Sequence, residues 1–311
     1  MKAILSAPHF QNDDAARTYL ESVLWPSGPV CPHCGVINHA FKTKRPGLFR
    51  CAEKACRKDF TVTMRTVMER SHIALHKWLQ GFYLMASSKK GMSAHQVHRS
   101  LGITYRSAWF MWHRIREAMR AGGLSTMGGE GSIVEIDETF IGRKSGVEVK
   151  QGVNHKRAVL TLVERRGRAR SFHIERAAKS EIMPIVRENL DRESHVMTVE
   201  AARYAKLGDE FAKHDVVDHS RREYAYTDRV TGVSVGINTV EGFYSIFKRG
   251  MFRIYQHCSE QHLHRYLAEF DFRYSNRIKL GVDDIERADR ALVGVKGKRL
   301  TYETTVQSQK P

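Results

Sequence analysis

Four cysteines and a few strategically placed acids are the residues of this chain best suited to chemistry. Cys31 and Cys34 stand in "CPHCG", and Cys51 and Cys56 in "LFRCAEKACRKDF". Two such pairs, each at a tight turn, bring four thiolates together. Four thiolates suit tetrahedral Zn²⁺ and leave no position open for catalysis. The site reads as structural, with zinc replacing the core that a small module lacks. His33 lies inside the first pair, but four cysteines already close the shell. The acids raise a different question. Asp137 falls in "SIVEIDETFIG", where Ile133, Val134 and Ile136 mark a strand. A carboxylate in the middle of a sheet costs desolvation energy unless a cation offsets it. Glu135 and Glu138 are its competitors. Glu200 follows the apolar run "HVMTV", and a strand ending at an acid is a common place for a metal ligand. A slip of one residue, however, turns a strand side chain to the opposite face. Glu200 is a catalytic carboxylate, a helix-start acid, or the neighbour of a carboxylate that has been lost.

The elements that must position these residues follow from apolar spacing. The stretch between the cysteine pairs can form a β-hairpin arm. In "HKWLQGFYLMASS", Trp78, Phe82 and Met85 recur at helical spacing. Ser93 can cap a short helix with Ala94, Val97 and Leu101 on one face, and Gly102 ends it. Thr104 can cap a longer helix with Ala108, Met111, Trp112, Ile115 and Met119 inward. Helix, glycine-containing turn and second helix match a helix-turn-helix, with Tyr105, Arg106 and Ser107 at the start of its recognition helix. "AGGLSTMGGEG" is glycine-rich, lacks an apolar period and reads as a linker. Beyond it come the Asp137 strand and a hairpin turning at "RRGRAR". A helix over 178–190, the "HVMTV" strand, a helix over about 201–213 and a short strand at "DVVDHS" follow. Three antiparallel strands followed by alternating helices and strands imply a mixed sheet with helices on its faces. Asn238 or Thr239 can cap the next helix, which carries Glu241 and Lys248 two turns apart on one face. A last helix repeats Glu269, Arg273 and Arg277 every four residues.

A net charge of +17 favours a polyanionic partner. No segment reaches the length of a membrane span, and "MKAILSAPHF" is too short an apolar run for a secretory signal. The expected partner is therefore nucleic acid, with no membrane association, in the cytoplasm. In that reducing compartment the clustered cysteines favour metal over disulfides. Cys258 reads as a free thiol, and His214 and His219 as structural residues, although His219 lies beside the acid of "DHS".

The motifs "CPHCG", "CRKDFTVT", "EIDETFIG", "HSRREY", "NTVEGFYSIFKRG", "HLHRYLAEFDFRYSNR" and "GKRLTY" span nearly the whole chain. In that order they resemble a bacterial insertion-sequence transposase of the group numbered fifteen-ninety-five. The resemblance implies a multidomain α+β protein: a zinc ribbon over 1–65, a helix-turn-helix region over 66–121 and a linker over 122–131. A ribonuclease-H-like DDE domain over 132–280 and a tail over 281–311 complete it. It implies Asp137 as first catalytic acid and Glu241 as third, with two Mg²⁺ or Mn²⁺ ions as cofactors beside the structural Zn²⁺. Lys248, with Arg249, is expected on DNA near the scissile phosphate, and Arg273 and Arg277 belong to an accessory motif. Partners would be element ends and target DNA, bound by a homo-oligomer in a bacterial cell, at the nucleoid.

One position departs from the pattern. The group carries Thr-Asp-Glu where this chain has Thr198-Val199-Glu200. Val199 replaces the second catalytic aspartate, and Glu200 matches the adjacent acid of the group. Strand alternation aims Glu200 away from Asp137, so it substitutes only if the strand end is distorted. Two readings compete: a transposase with impaired chemistry, and a DNA-binding protein descended from one that no longer cuts. A zinc-ribbon transcription factor fused to an inert domain finds no separate support.

Overall fold

A computed structural model of the chain describes residues 3–122 and 125–301. The described residues divide into two compact units, one within 1–120 and 283–301 and one within 121–282.

In the first unit, helix α1 (Asp13–Leu24) starts where the Asn12 side chain accepts the Asp14 and Ala15 N–H groups. A three-stranded antiparallel sheet of β1 (Ala40–Lys42), β2 (Phe49–Cys51) and β3 (Asp59–Phe60) then forms the arm between and after the cysteine pairs. Its core is small: Cys31, Phe49, Cys51 and Phe60, with Trp25 edge-on to both phenylalanines. Helices α2 (Leu75–Ser87), α3 (Ala94–Leu101) and α4 (Tyr105–Met119) follow. The expected caps are present. Ser93 accepts the Gln96 N–H, Thr104 accepts that of Ser107, and Gly102 takes the left-handed conformation (φ 57°) that ends α3.

The second unit is built on a five-stranded sheet. Its strands are β4 (Ile133–Ile141), β5 (Arg157–Glu164), β6 (Ala169–Ile174), β7 (His195–Val199) and β8 (Lys213–Val217), in the order β6-β5-β4-β7-β8. β4, β5 and β6 pair antiparallel, while β7 and β8 join parallel to β4. This is the expected mixed sheet with helices on its faces. Helix α5 (Lys179–Asn189) covers the face holding Val134, Ile136 and Val196. A small hairpin of β9 (Ala225–Thr227) and β10 (Ser234–Gly236) precedes α6 (Asn238–Gly250), and α7 (Leu263–Ser275) follows. α6 and α7 pack their aromatic residues over the other face, with Val159, Met197 and Val217.

Several local expectations give way to tertiary packing. Residues 201–213 form no helix but two 3-10 turns, Ala202–Tyr204 and Leu207–Asp209, because Tyr204 and Leu207 are drawn into the sheet core. β8 begins at Lys213 and stops at Val217, so Asp218 and His219 lie beyond it in a 3-10 turn. The stretch read as a linker is anchored from Met127 onward. Met127 is fully buried and exchanges backbone hydrogen bonds with Asn189 and Asp191 at the end of α5. Residues 281–311 are not all tail: Asp284–Val293 form α8, which packs on α1, α2 and α4 of the first unit. Tyr302 of "GKRLTY" lies outside the described residues. No helix among the described residues is long and apolar enough to cross a membrane.

The repeat of Glu269, Arg273 and Arg277 also resolves differently. Glu269 and Arg273 form a buried ion pair on α7, and Tyr255 donates a 2.5 Å hydrogen bond to the same carboxylate. Arg277 lies past the helix, where it donates to the Gly167 and Tyr274 carbonyls and stacks on the Tyr274 ring. Removing one partner of a buried pair leaves an uncompensated charge, which costs about 3–5 kcal/mol. Arg273→Met is therefore expected to lower the chain's unfolding free energy by about that amount in a urea titration. A loss below about 1 kcal/mol, the range of exposed pairs, would show that the pair contributes little.

Candidate metal and nucleic-acid sites

The four cysteine sulfurs lie within 4.8 Å of one another, with Cys31–Cys56 at 3.8 Å and Cys34–Cys51 at 3.6 Å. A tetrahedron with Zn–S bonds of about 2.3 Å has edges of about 3.8 Å, so the spacing is that of a zinc shell. The two turns reach it differently. Gly35 follows the first pair in the left-handed conformation at φ 81°, and Arg57 follows the second at φ 49°. Each sends its N–H back into its own turn, to Cys31 O and Glu53 O. His33 sits 3.3 Å from the Asp59 carbonyl, engaged there and not needed as a ligand. No other group of three or more potential metal ligands occurs among the described residues.

Asp137 stands on β4, the central strand, and alternation groups the side chains of that strand. Val134 and Ile136 face α5, so Glu135 and Asp137 face α6 and Glu138 faces α5. The three carboxylates have three different environments. Glu138, 2% exposed, is held by Arg203 at 2.8 Å and by the Tyr204 hydroxyl at 2.5 Å. Glu135, wholly buried, pairs with Arg165 at 2.6 Å. At Asp137 the Glu138 N–H and the charge of Arg203 favour the ionised form. Burial first, then the negative charges of Glu138 and Glu241, outweigh these and push its carboxyl up to about 7. Glu241 stands exposed on the first turn of α6, and its charge adds to the rise at Asp137. The Tyr244 hydroxyl, one turn further along α6, donates to the Asp137 carbonyl at 2.6 Å and ties helix to strand.

The third corner is apolar. The β4–β7 ladder ends with Glu135 opposite Met197, and alternation keeps Val199 on the Met197 side of β7. The Val199 side chain packs with the hydrophobic clusters on both sides of the sheet. Glu200 is exposed and turns elsewhere: its N–H donates to Val217 O, and its carboxyl is hydrogen-bonded to Asp218. That bond and the charge of Asp218 raise the Glu200 pKa. These contacts place Glu200 with Asp218 at the ends of β7 and β8. The pairing with Asp218 escapes sequence reading, because it depends on β7 and β8 ending side by side.

The residues expected on DNA are divided between the units. On α6, Lys248 is half-exposed and Arg249 exposed, both in the last turn. At the start of α4, Tyr105 and Arg106 are exposed, and Tyr105 stacks on His95 with ring centroids 4.2 Å apart. Ser107 is half-buried, its hydroxyl accepting from the Thr104 cap at 2.9 Å. Arg273 is not presented to a ligand at all, being buried against Glu269, and Arg277 is spent on backbone carbonyls. Cys258 is half-buried, with its sulfur against the Ser259 carbonyl.

Comparison with known proteins bears on these sites. Residues 128–275 match the family model of the ISXO2-like transposase domain, and residues 11–59 that of the transposase zinc-ribbon domain. A curated relative, an uncharacterized protein in transposable element ISH50 of Halobacterium salinarum, is 24% identical over 287 residues. That alignment spans 85% of this chain and 91% of the relative. Among solved structures, a chain of the simian T-cell lymphotropic virus intasome bound to PP2A regulatory subunit B56 gamma is 14% identical. It covers 57% of this chain and 63% of its own, at a TM-score of 0.29, which is too low to bear on the fold.

The raised Asp137 carboxyl has a stability consequence. A carboxyl that ordinarily titrates near about 3.9 and titrates near 7 when folded binds its proton more tightly in the folded state. Its contribution to stability is present at acid pH and lost as the pH rises through 7. In metal-free buffer, Asp137→Asn should thus raise the melting temperature at pH 8 and leave it nearly unchanged at pH 4. Equal shifts at both pH values would contradict the raised carboxyl.

Proposed function

Since the chain belongs to the insertion-sequence transposases of the fifteen-ninety-five group, we propose that it binds the ends of its element and that its cutting chemistry is impaired at Val199. The observation that carries this reading is Asp137 on the central strand, its carbonyl tied to the Tyr244 hydroxyl of the helix that bears Glu241, with apolar Val199 on the adjoining strand. Two carboxylates that repel each other at the edge of a core are relieved by a divalent cation, and hard oxygen ligands suit Mg²⁺ or Mn²⁺. Asp137 and Glu241 would hold such an ion. When bound, it would supply Lewis-acid stabilisation of a phosphoryl oxygen and a more acidic water. A second ion would need a side-chain ligand from β7, and the Val199 side chain has no oxygen.

The protein's own residues would do the rest. Lys248 follows Glu241 by two helical turns, so its ammonium lies along the same face and can meet a phosphate next to the acid pair. Arg249 adds a second cation. The α4 start, with Tyr105 and Arg106, supports groove binding by the first unit, where the zinc ribbon gives a second basic surface. Pairing two element ends would require more than one copy of the chain. Complete loss of cutting, leaving a DNA-binding competitor on the same ends, is the second reading, and the apolar contacts of Val199 favour it.

Val199→Asp tests both readings together, and nicking by the parent above a protein-free control separates impaired cutting from complete loss. Supercoiled DNA carrying an element end, incubated with Mg²⁺, should be nicked more than about 100-fold faster by the variant. That is a larger factor than the changes typical of residues behind the ligands. Equal rates for parent and variant would end the impairment idea.

DNA contact is tested separately by the salt dependence of binding. The affinity for an end fragment should fall steeply with salt, and Lys248→Ala should reduce the log–log slope by about one. An unchanged slope would remove Lys248 from the phosphate contacts.

A further inference from the structure

Glu135 shares the α6-facing side of β4 with Asp137, and its carboxylate is fully used. One oxygen accepts from the Arg165 guanidinium at 2.6 Å and the Thr239 hydroxyl at 2.7 Å. The other accepts the backbone N–H groups of Thr239 at 2.7 Å and Val240 at 2.9 Å. A carboxylate offers about four lone-pair sites. All four are taken, so Glu135 has none left for a metal ion.

The two N–H groups are among those that a helix leaves unsatisfied at its start. α6 has no side-chain cap from its own sequence: Ile237 stands at the cap position, and the Thr239 hydroxyl donates outward to Glu135. The cap is supplied across 104 residues by a strand acid. A buried negative charge at the positive end of a helix is favourable, and here it fixes the helix end to one strand position. Glu241 directly follows the capped residue Val240, and Asp137 lies two residues beyond Glu135. Arg165 extends the clamp, since its other nitrogens donate to Ser234 O at 2.5 Å and Gly236 O at 3.0 Å on β10. The chain entering α6 is thereby held at both ends of residues 234–240.

From these contacts we infer that Glu135 is the positioning residue of the acid site: capping α6 from β4, it sets how Glu241 stands to Asp137. The inference deepens the proposed metal site and rests on it. Loss of the clamp should leave both acids present but misaligned, and so weaken divalent-ion binding without abolishing it.

The test is a Mn²⁺ titration of the zinc-loaded full-length chain, followed by the electron-paramagnetic-resonance signal of free Mn²⁺, run on the parent and on Val199→Asp. Asp137→Asn should eliminate the binding. Glu135→Gln should weaken it about 10–100-fold, the range for residues that orient metal ligands, with the far-ultraviolet circular dichroism unchanged. Thr239→Val, which removes one of the four bonds and keeps the shape, should weaken it by a smaller factor, and Thr239→Ser should restore it. Should Glu135→Gln fail to fold, the Thr239 pair decides. Parent-like Mn²⁺ affinity in folded Glu135→Gln, or in Thr239→Val where the former does not fold, overturns the positioning role while the metal site stands. Mn²⁺ binding that is absent from both backgrounds, or unaffected by Asp137→Asn, overturns the metal site and the positioning role with it.

Discussion

Three carboxylates within four consecutive positions of a central strand are a severe electrostatic constraint, and the second unit is arranged around it. Each buried charge must be met by an opposite charge or by directed hydrogen bonds, or it shifts its pKa and takes up a proton. Glu138 is met from the α5 side by Arg203 and Tyr204. Glu135 is met from the α6 side by Arg165 and by a helix end. Asp137, between them, is the one whose carboxyl is pushed up to about 7, with Glu241 adding to its cost. This contrast between a strained central carboxyl and its two satisfied neighbours is what the proposed ion site rests on. The flanking acids matter because they make that difference: their partners pin α6 and the 3-10 turn after β7 to the strand.

The parts of this arrangement that the sequence discloses are those whose causes are local. Cysteine spacing announces the zinc turns, because the ligands of each pair are a few residues apart. The Ser93 and Thr104 caps and the left-handed Gly102 are equally local, so the bounds of α3 and α4 and the turn between them read directly. Period-two alternation on β4 separates Glu135 and Asp137 from Glu138. What stays hidden is long-range. Asn238 and Thr239 are reasonable caps by residue type, yet the start of α6 is capped by Glu135. Nothing near "GINTVEG" points to an acid in "SIVEIDETFIG". The resemblance of the motifs implies which acids would belong together; the contacts around them do not follow from it.

The same distinction explains the stretches where local preference loses. "AARYAKLGDEFAK" has the alanines, lysine and leucine of a helix, with one glycine. Arg203 and Tyr204 are nevertheless required at Glu138, and Leu207 and Phe211 in the core. Two 3-10 turns satisfy those demands where a straight helix does not, and burial outweighs the few tenths of a kcal/mol per residue at stake in propensity. The glycine-rich run before β4 loses its freedom in a comparable way. A single methionine, Met127, finds a wholly buried place, and the backbone on either side bonds to the end of α5.

Val199 shows how chemistry and stability pull apart at such a site. A third acid in line with Asp137 would add a further like charge to a carboxyl already made hard to ionise by burial and by two neighbours. Without metal, such a cluster is a source of instability, tolerated where activity needs it. Valine at this position removes the repulsion and fills the space where the clusters on the two faces of the sheet meet at the end of β7. It is also a residue that strands favour. Nothing in the fold opposes the change, and the remaining acids are still held by Glu135, Tyr244 and the Glu138 clamp. On the proposed reading, valine in place of an acid here is silent in every feature that builds the domain, so the architecture of the site would stand with one corner of its chemistry missing.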